Sequence, residues 1–346
     1  MRAPAWLAIL AALGLALPAL AQHAPAQPVQ PAPPAKVRQL DITNKPWTGD
    51  FDAMLERRMI RVYAPFSRTL YFSDRGRERG ITAELVRDWE RYLNRKYAKR
   101  FRKRPLTIYL IPATRDKLLP YLEQGLADVA AGNLTITADR LEEADFVPGN
   151  LGGRVVDEVV VTGPKSPQVE SLDDLGGKTV HVRKSSSYYE SLELLNERLG
   201  REGKPPVKLA VVPDSLEDED LMEMLDAGLL ELLVVDDWKA GLWARVLPKI
   251  KVRTDLVLRD NGRAGWAVRK GSAKLEAEIA EFFADWVAKN GIFEGRLGTY
   301  TKRAKELRDP TASRDYRRFQ QLIAIFEKYG ERYQFDPLML AAQGYQ

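Results

Sequence analysis

ADVAAGNLTITADRLEEADF, residues 127–146, is the stretch whose reading decides the fold. It opens as a short apolar run, Val129-Ala130-Ala131, and breaks at Gly132-Asn133. Hydroxyl-bearing Thr135 and Thr137 follow, then a single Arg140, and apolar character returns at Phe146. A buried strand that ends in Gly, Asn and Thr and hands the chain to one Arg builds an anion-binding corner. Backbone N–H groups and Thr hydroxyls reach the ligand, and the planar guanidinium takes a carboxylate through two parallel hydrogen bonds. In open α/β sheets such corners lie beyond the carboxyl ends of the strands. The same residues also read as a strand, a turn and a solvated Arg, and residue types alone leave both readings open.

Working outward, Met59-Ile60-Arg61-Val62-Tyr63-Ala64 reads as a strand, and Leu70-Tyr71-Phe72 follows after a turn. Ile81, Leu85, Trp89, Tyr92 and Leu93 recur at helical spacing. Leu106 to Ile111 alternates as a strand does, and Arg115 to Gly125 reads as a helix closed by glycine. Strand and helix alternate up to the decisive stretch, which predicts βαβ units, a parallel sheet and an α/β fold. Between them lies Arg95 to Arg104, a dense basic run. Such a run is usually a solvated face; a functional version would touch an anionic cell-wall polymer or lipid headgroups.

Downstream, Val155 to Val161 is β-branched and continuous. A strand to Val182 then delivers Lys184-Ser185-Ser186-Ser187 to the start of a helix running to about Leu199. Serines at such a junction offer hydroxyls and free N–H groups to an anionic or carbonyl group, or simply cap the helix. Ser185 and Ser186 are the candidates. Leu216 to Ala227 reads as an acidic helix, and Leu229 to Val235 as an apolar strand ending in Asp236-Asp237-Trp238. A carboxylate at the end of a buried strand is costly unless it is paired.

The 346 residues allow one large or two to three small domains, and 45% hydrophobic with 29% charged residues describes an ordinary globular protein with ample core. The net charge of +5 is modest and no nucleic-acid motif accompanies it, which argues against a nucleic-acid partner. Residues 1–21 read as a signal peptide: Arg2, an apolar run from Trp6 to Leu17, and Ala19-Leu20-Ala21 as cleavage site. That run is too short to favour a spanning helix. A Pro- and Ala-rich linker over residues 22–50 follows, and the expected location is the periplasm. There is no cysteine, hence no disulfide framework and no lipid-attachment cysteine. With His181 the sole histidine of the region read as folded, no metal site and no cofactor are expected.

Gly132 to Arg140, followed by Asp145-Phe146, resembles the ligand signature of the family 3 periplasmic solute-binding proteins, as do Ser171 to Val180 and Ala264 to Ser272. The resemblance covers about residues 56 to 300. It implies a two-lobed periplasmic-binding-protein fold of type II over residues 51–305, with lobe 1 at about 51–155 and 260–305 and lobe 2 at about 160–255. It also implies an amino acid or related small molecule as ligand. Thr135 and Arg140 fall where the family holds the α-carboxylate, and Asn133 stands where many relatives have Gly or Ala. Asp236, with Asp237 as second choice, falls where relatives take the α-amino group, and Tyr71 or Phe72 where an aromatic covers the ligand.

Beyond Leu297 the chain departs from a simple receptor. Ser313 is a plausible cap for an apolar helical stripe, Tyr316, Phe319, Leu322, Ile323, Phe326 and Tyr329, that ends at Gly330. Asp336-Pro337 opens a second helix that reaches Tyr345-Gln346. Residues 310–346 resemble the start of a lysozyme-like lytic transglycosylase domain, all-α and incomplete here. In that family the Tyr-Gln pair precedes a Glu-Ser pair whose Glu is the catalytic acid and base, so no catalytic residue is expected within these residues. The combination implies a periplasmic enzyme that cleaves peptidoglycan and is regulated by an amino acid or muropeptide, a monomer in peripheral contact with the outer membrane. The alternative is a stand-alone amino-acid receptor serving an ABC importer.

Overall fold

The computed structural model describes residues 45–308 except 75, with side chains to 302, and also Lys328 and Tyr329. The segment read as a signal peptide, most of the one read as a linker and nearly all of residues 310–346, read as the start of a transglycosylase domain, lie outside the described residues. Two lobes share this region, and the chain crosses between them twice, before Val156 and after Gly262.

Lobe 1 contains a five-stranded sheet in the order β4-β1-β5-β12-β6: Thr107–Pro112, Met59–Ala64, Val129–Thr135, Ala264–Arg269 and Ala144–Pro148. Strands β1, β4 and β5 run parallel, as the alternation predicts. The expectation of a parallel sheet is corrected at the other edge. β12 returns from lobe 2 and pairs antiparallel with both β5 and β6, so the sheet is mixed. Phe72–Asp74 (β2) and Arg77–Arg79 (β3) form a separate hairpin. The helices are α1 (Phe51–Arg57), α2 (Ile81–Lys96), α3 (Ala98–Phe101), α4 (Arg115–Glu123) and α5 (Ala138–Glu143). Helix α2 buries Ile81, Leu85, Trp89 and Leu93 at the spacing read from sequence. Its Asn94, Arg87 and Glu90 side chains bond the edge groups of Leu106 and Ile108, so the outer edge of β4 is covered.

The lobe 1 core is aromatic. Trp266 on β12 is fully buried and packs edge-on against Trp89 and Phe283, with ring centroids 5.6 and 5.0 Å away. Phe282 and Phe283 come from α9 (Ala273–Phe282) and from the π-helical turn Phe283–Ala288 that continues it. At the far end of the strands, buried Asp128 accepts from Arg61 and Arg57, and Arg61 also binds the carbonyls of Lys45 and Gly125. That pair fastens the incoming chain to the sheet.

Lobe 2 has a three-stranded sheet, β10-β7-β11 (Leu232–Asp236, Val156–Thr162, Lys251–Gly262), and a parallel pair, β8 (Thr179–Arg183) with β9 (Lys208–Val212). Both neighbours of β7 run antiparallel to it. The helices are α6 (Ser187–Arg201), α7 (Asp218–Asp226) and α8 (Asp237–Trp243). The long strand β11 is invisible in the sequence pattern because it is mostly half-exposed and irregularly paired, without an apolar alternation. Helix α10 (Ile292–Arg308) buttresses both lobes: Phe293 packs edge-on against Trp238 of α8, while Tyr300 donates to Glu84 and accepts from the Gly80 N–H.

Candidate ligand cleft between the lobes

Strand β5 is buried along its whole length and ends at the interlobe seam. Helix α4 packs so closely over Gly132 that a Cβ there would lie 2.7 Å from Leu118 Cδ1. The next residue, Asn133, adopts the left-handed conformation at φ 51°, which Asn tolerates better than most residues. Its side chain thereby turns across the seam, donating to Asp236 Oδ2 at 3.3 Å and accepting from Asn150 at 3.1 Å. Thr137 caps α5 by accepting the Arg140 N–H, and this fixes where the Arg140 side chain starts.

Six of the eight residues singled out by sequence, Asn133, Thr135, Arg140, Ser185, Ser186 and Asp236, line one small interlobe cavity. Arg140 spans the seam: it donates to the Thr135 carbonyl on its own lobe at 2.9 Å and to the Ser185 carbonyl of lobe 2 at 2.8 Å. Glu190 lies 3.5 Å from its Nε. Burial lowers the Arg140 pKa, and the nearby Glu190 works against that shift.

The serines behave differently from one another. Ser186 is the N-cap of α6, accepting the Tyr189 N–H and donating to the Arg183 carbonyl, so the capping reading describes its hydroxyl. Ser185 donates to Asp214 and presents its carbonyl to Arg140. The structure does not bring Tyr71 and Phe72 to the cavity: both are half-buried against the lobe 1 core, where the β2–β3 hairpin places them. Phe66, 60% exposed, packs edge-on against Tyr71 and does not line the cavity either.

Asp236 ends β10, 1% exposed. Its Oδ1 is buried and has no hydrogen-bond partner among the described residues. Burial pushes its pKa up to about 6; Lys239 opposes the shift, while Asp218 and Glu158 add to it. Asp237 points elsewhere, accepting from the Asp157 N–H and from Arg154.

Beneath Asp236 sits a charge network absent from the sequence reading. Buried Asp218 accepts from both Arg183 and Lys239. Burial raises its pKa, but Arg183 and Lys239 outweigh burial and hold the carboxyl well below the usual range. Tyr188 accepts the Asp236 N–H at 3.1 Å, and burial keeps its phenol far above its ordinary pKa. Arg115, Arg183 and Lys239 also line the cavity. The available signal was position: Arg183 closes a strand, Arg115 opens a helix, and Lys239 follows the Asp236-Asp237 pair by two residues. His181, in the middle of β8, does not line the cavity.

Cross-lobe bonds hold the seam shut. Arg115 pairs with Glu217 at 2.8 Å, Arg68 with Glu223 and Asp220 at 2.8 and 2.9 Å, and Ser67 donates to Glu219 at 2.6 Å. Trp243 Nε1 donates to Thr69 at 3.0 Å. The cavity between the lobes is about 20 Å³, room for roughly one water molecule and far short of an amino acid. Among the described residues no group of His, Cys, Asp and Glu is placed to hold a metal ion, and no helix is long and apolar enough to cross a membrane.

The sequence profile of the bacterial extracellular solute-binding proteins, family 3, matches residues 59–294. The chain belongs to that family. Solved structures of amino-acid-binding proteins superpose on it. An ancestral arginine-binding protein bound to arginine has a TM-score of 0.55 at 22% identity, covering 71% of this chain and 98% of that one. The amino acid ABC transporter substrate-binding protein AbpA from Streptococcus pneumoniae, bound to L-arginine, has a TM-score of 0.58 at 17% identity, covering 73% and 98%. At these identities the likeness shows the two-lobed fold that the family 3 resemblance implied.

Relatives of this family 3 chain carry a longer architecture. The membrane-bound lytic murein transglycosylase F of Desulfosudis oleivorans is 28% identical over 240 residues, covering 67% of this chain and 49% of that protein. Its namesake from Pseudomonas syringae pv. tomato is 28% identical over 310 residues, covering 87% and 57%. The chain thus spans about half the length of the curated relatives it matches.

Proposed function

We propose that this chain is the ligand-sensing part of a periplasmic, F-type peptidoglycan lytic transglycosylase, and that its interlobe cleft takes an amino acid or a wall peptide. The observation that carries the ligand reading is the pairing of Arg140 on lobe 1 with Asp236 on lobe 2, whose buried Oδ1 lacks a partner among the described residues. Arg140 would exchange its two carbonyl partners for the ligand carboxylate, which accepts the guanidinium fork in two charge-assisted bonds. Asp236 would gain the ammonium that compensates its burial. Charged hydrogen bonds of this kind are worth about 1.5–3 kcal/mol each, enough to bias an open–closed equilibrium. Because the closed cavity is too small for an amino acid, the lobes would part to admit one, breaking the Arg115–Glu217 and Arg68 pairs, and close again around it.

Transglycosylase relatives support the enzyme reading, together with the Phe335-Asp336-Pro337 to Tyr345-Gln346 pattern. Cleavage itself is assigned to no residue described above; the binding lobes would regulate it. The second reading, a receptor serving an importer, is favoured by the near-complete coverage of amino-acid-binding proteins.

The test is a thermal-shift screen of L-amino acids, with arginine and glutamine first, and of short wall peptides. A specific ligand raises Tm of the wild type and leaves Arg140→Ala unmoved. If the same ligand stabilises Arg140→Ala equally, the site is misassigned. Release of anhydro-muropeptides from murein by the parent protein, altered by that ligand, separates sensor from importer receptor.

A further inference from the structure

We infer that the corner of lobe 1 built by the end of α2, by α3 and by the turn before β4 is a docking surface for an anionic phospholipid membrane. The inference deepens the envelope reading above and rests on it.

Arg91 to Arg104 holds eight basic residues and no acidic one, against a net charge of +5 for the whole chain. The remaining residues therefore carry a net charge of −3, so the positive charge is concentrated in this one segment. The structure shows which of these charges are already used. Lys96 is held by Glu278 and Glu281 at 2.8 and 2.7 Å, and Arg91 by Asp88. Arg95 lies over the Trp286 ring at 4.9 Å, and Arg100 approaches exposed Glu56 at 3.9 Å. Lys99, Arg102, Lys103 and Arg104 are all exposed and have no carboxylate partner among the described residues.

Half-buried Tyr92, Tyr97 and Trp286 stand among these cations, the mixture of amphipathic rings and basic groups that suits the headgroup level of a bilayer. The interlobe cavity and the groove lined by Leu141, Phe146 and Arg263 both lie away from this corner. A plane of anionic headgroups asks of this corner only what it shows, exposed charge density with amphipathic rings among the cations. Its position also fits. Thr107, which follows the turn, pairs with Met59 at the amino ends of the parallel strands, while Asn133 and Thr135 mark the carboxyl end of β5. A protein docked by this corner keeps its cleft on the side away from the bilayer and lobe 2 free to move.

The test is co-sedimentation of the full chain with vesicles of phosphatidylcholine alone or with 30% phosphatidylglycerol added, at about 0.1 M salt. The wild type is expected to bind the anionic vesicles and to be released at about 0.5 M salt, where screening is short-ranged. Each free cation near such a surface strengthens binding roughly fivefold. The quadruple change Lys99→Gln, Arg102→Gln, Lys103→Gln, Arg104→Gln is therefore expected to weaken binding by several hundredfold, with Tm unchanged. The same number of changes on lobe 2, Arg201→Gln, Lys208→Gln, Arg245→Gln, Lys249→Gln, should cost far less. Equal binding to neutral vesicles, equal losses in the two variants, or binding to isolated murein but not to vesicles would each overturn the proposal. The ligand screen above is run without lipid, so failure here and failure of the sensor reading are separately visible.

Discussion

Lobe 1 brings to the cleft the end of one strand, with Asn133, Thr135 and Arg140 standing on a core of Trp89, Trp266, Phe282 and Phe283. Lobe 2 brings Asp236 seated above buried ions, Asp218 between Arg183 and Lys239, with Glu158 bonded to Ser191 and near Arg259. One half of the site is held in place by packing and the other by charge. Packing is indifferent to pH and salt, whereas a buried charge network carries its own titration. The cleft is therefore asymmetric: lobe 1 is the fixed wall and lobe 2 the responsive one.

The largest expected effect tests the charged wall. Asp218→Ala leaves Arg183 and Lys239 buried without their shared anion and should cost about 3–5 kcal/mol in denaturant unfolding. Asp218 has a folded pKa below its ordinary 3.8, so its stabilisation is complete above that value and is lost as pH falls below it. The gap between wild type and Asp218→Ala should close in acid. The packed wall gives the contrast: Trp266→Ala should also cost about 3–5 kcal/mol, by cavity formation, with a gap that does not vary with pH.

Asp236 carries the opposite sign. Its folded pKa of about 6 lies above its ordinary 3.8, so stability present below 3.8 is lost as pH rises through about 6. Asp236→Asn should accordingly be more stable than the ligand-free wild type by up to about 3 kcal/mol at pH 8, and equal to it near pH 3.5. A wild type that matches Asp236→Asn at pH 8 would remove the strain from lobe 2. The smallest effect is local. Ser186→Ala should cost about 1 kcal/mol through the lost cap of α6, whereas a role for that hydroxyl in the ligand would add a loss of affinity.

The comparison also explains what was legible in the sequence. The wall made by β5 is a contiguous signal, because a strand, its terminal Gly-Asn-Thr and the Arg one helical turn later are neighbours in the chain. The two-lobed fold followed from that segment and its resemblance. The charged wall is assembled from residues far apart, with Arg183 ending β8, Asp218 opening α7 and Lys239 in the first turn of α8, and no spacing rule joins them. The aromatic pair was misplaced for a related reason. Tyr71 and Phe72 follow the first strand in sequence, but at the start of the β2–β3 hairpin they pack against the lobe 1 core. The parallel sheet expected from the alternation holds for β1, β4 and β5 and becomes mixed because β12 enters lobe 1 only after the whole of lobe 2 has been built.

The central claim is that Arg140 and Asp236 grip a zwitterion from opposite lobes, and the most direct measurement is calorimetric affinity for the ligand found in the screen between pH 4.5 and 8. The account predicts that wild-type affinity falls below about pH 6, approaching tenfold per unit as Asp236 gains its proton, and that Asp236→Asn binds weakly at every pH. An affinity that stays level across that range, or an Asp236→Asn variant that binds as tightly as the wild type, would contradict it.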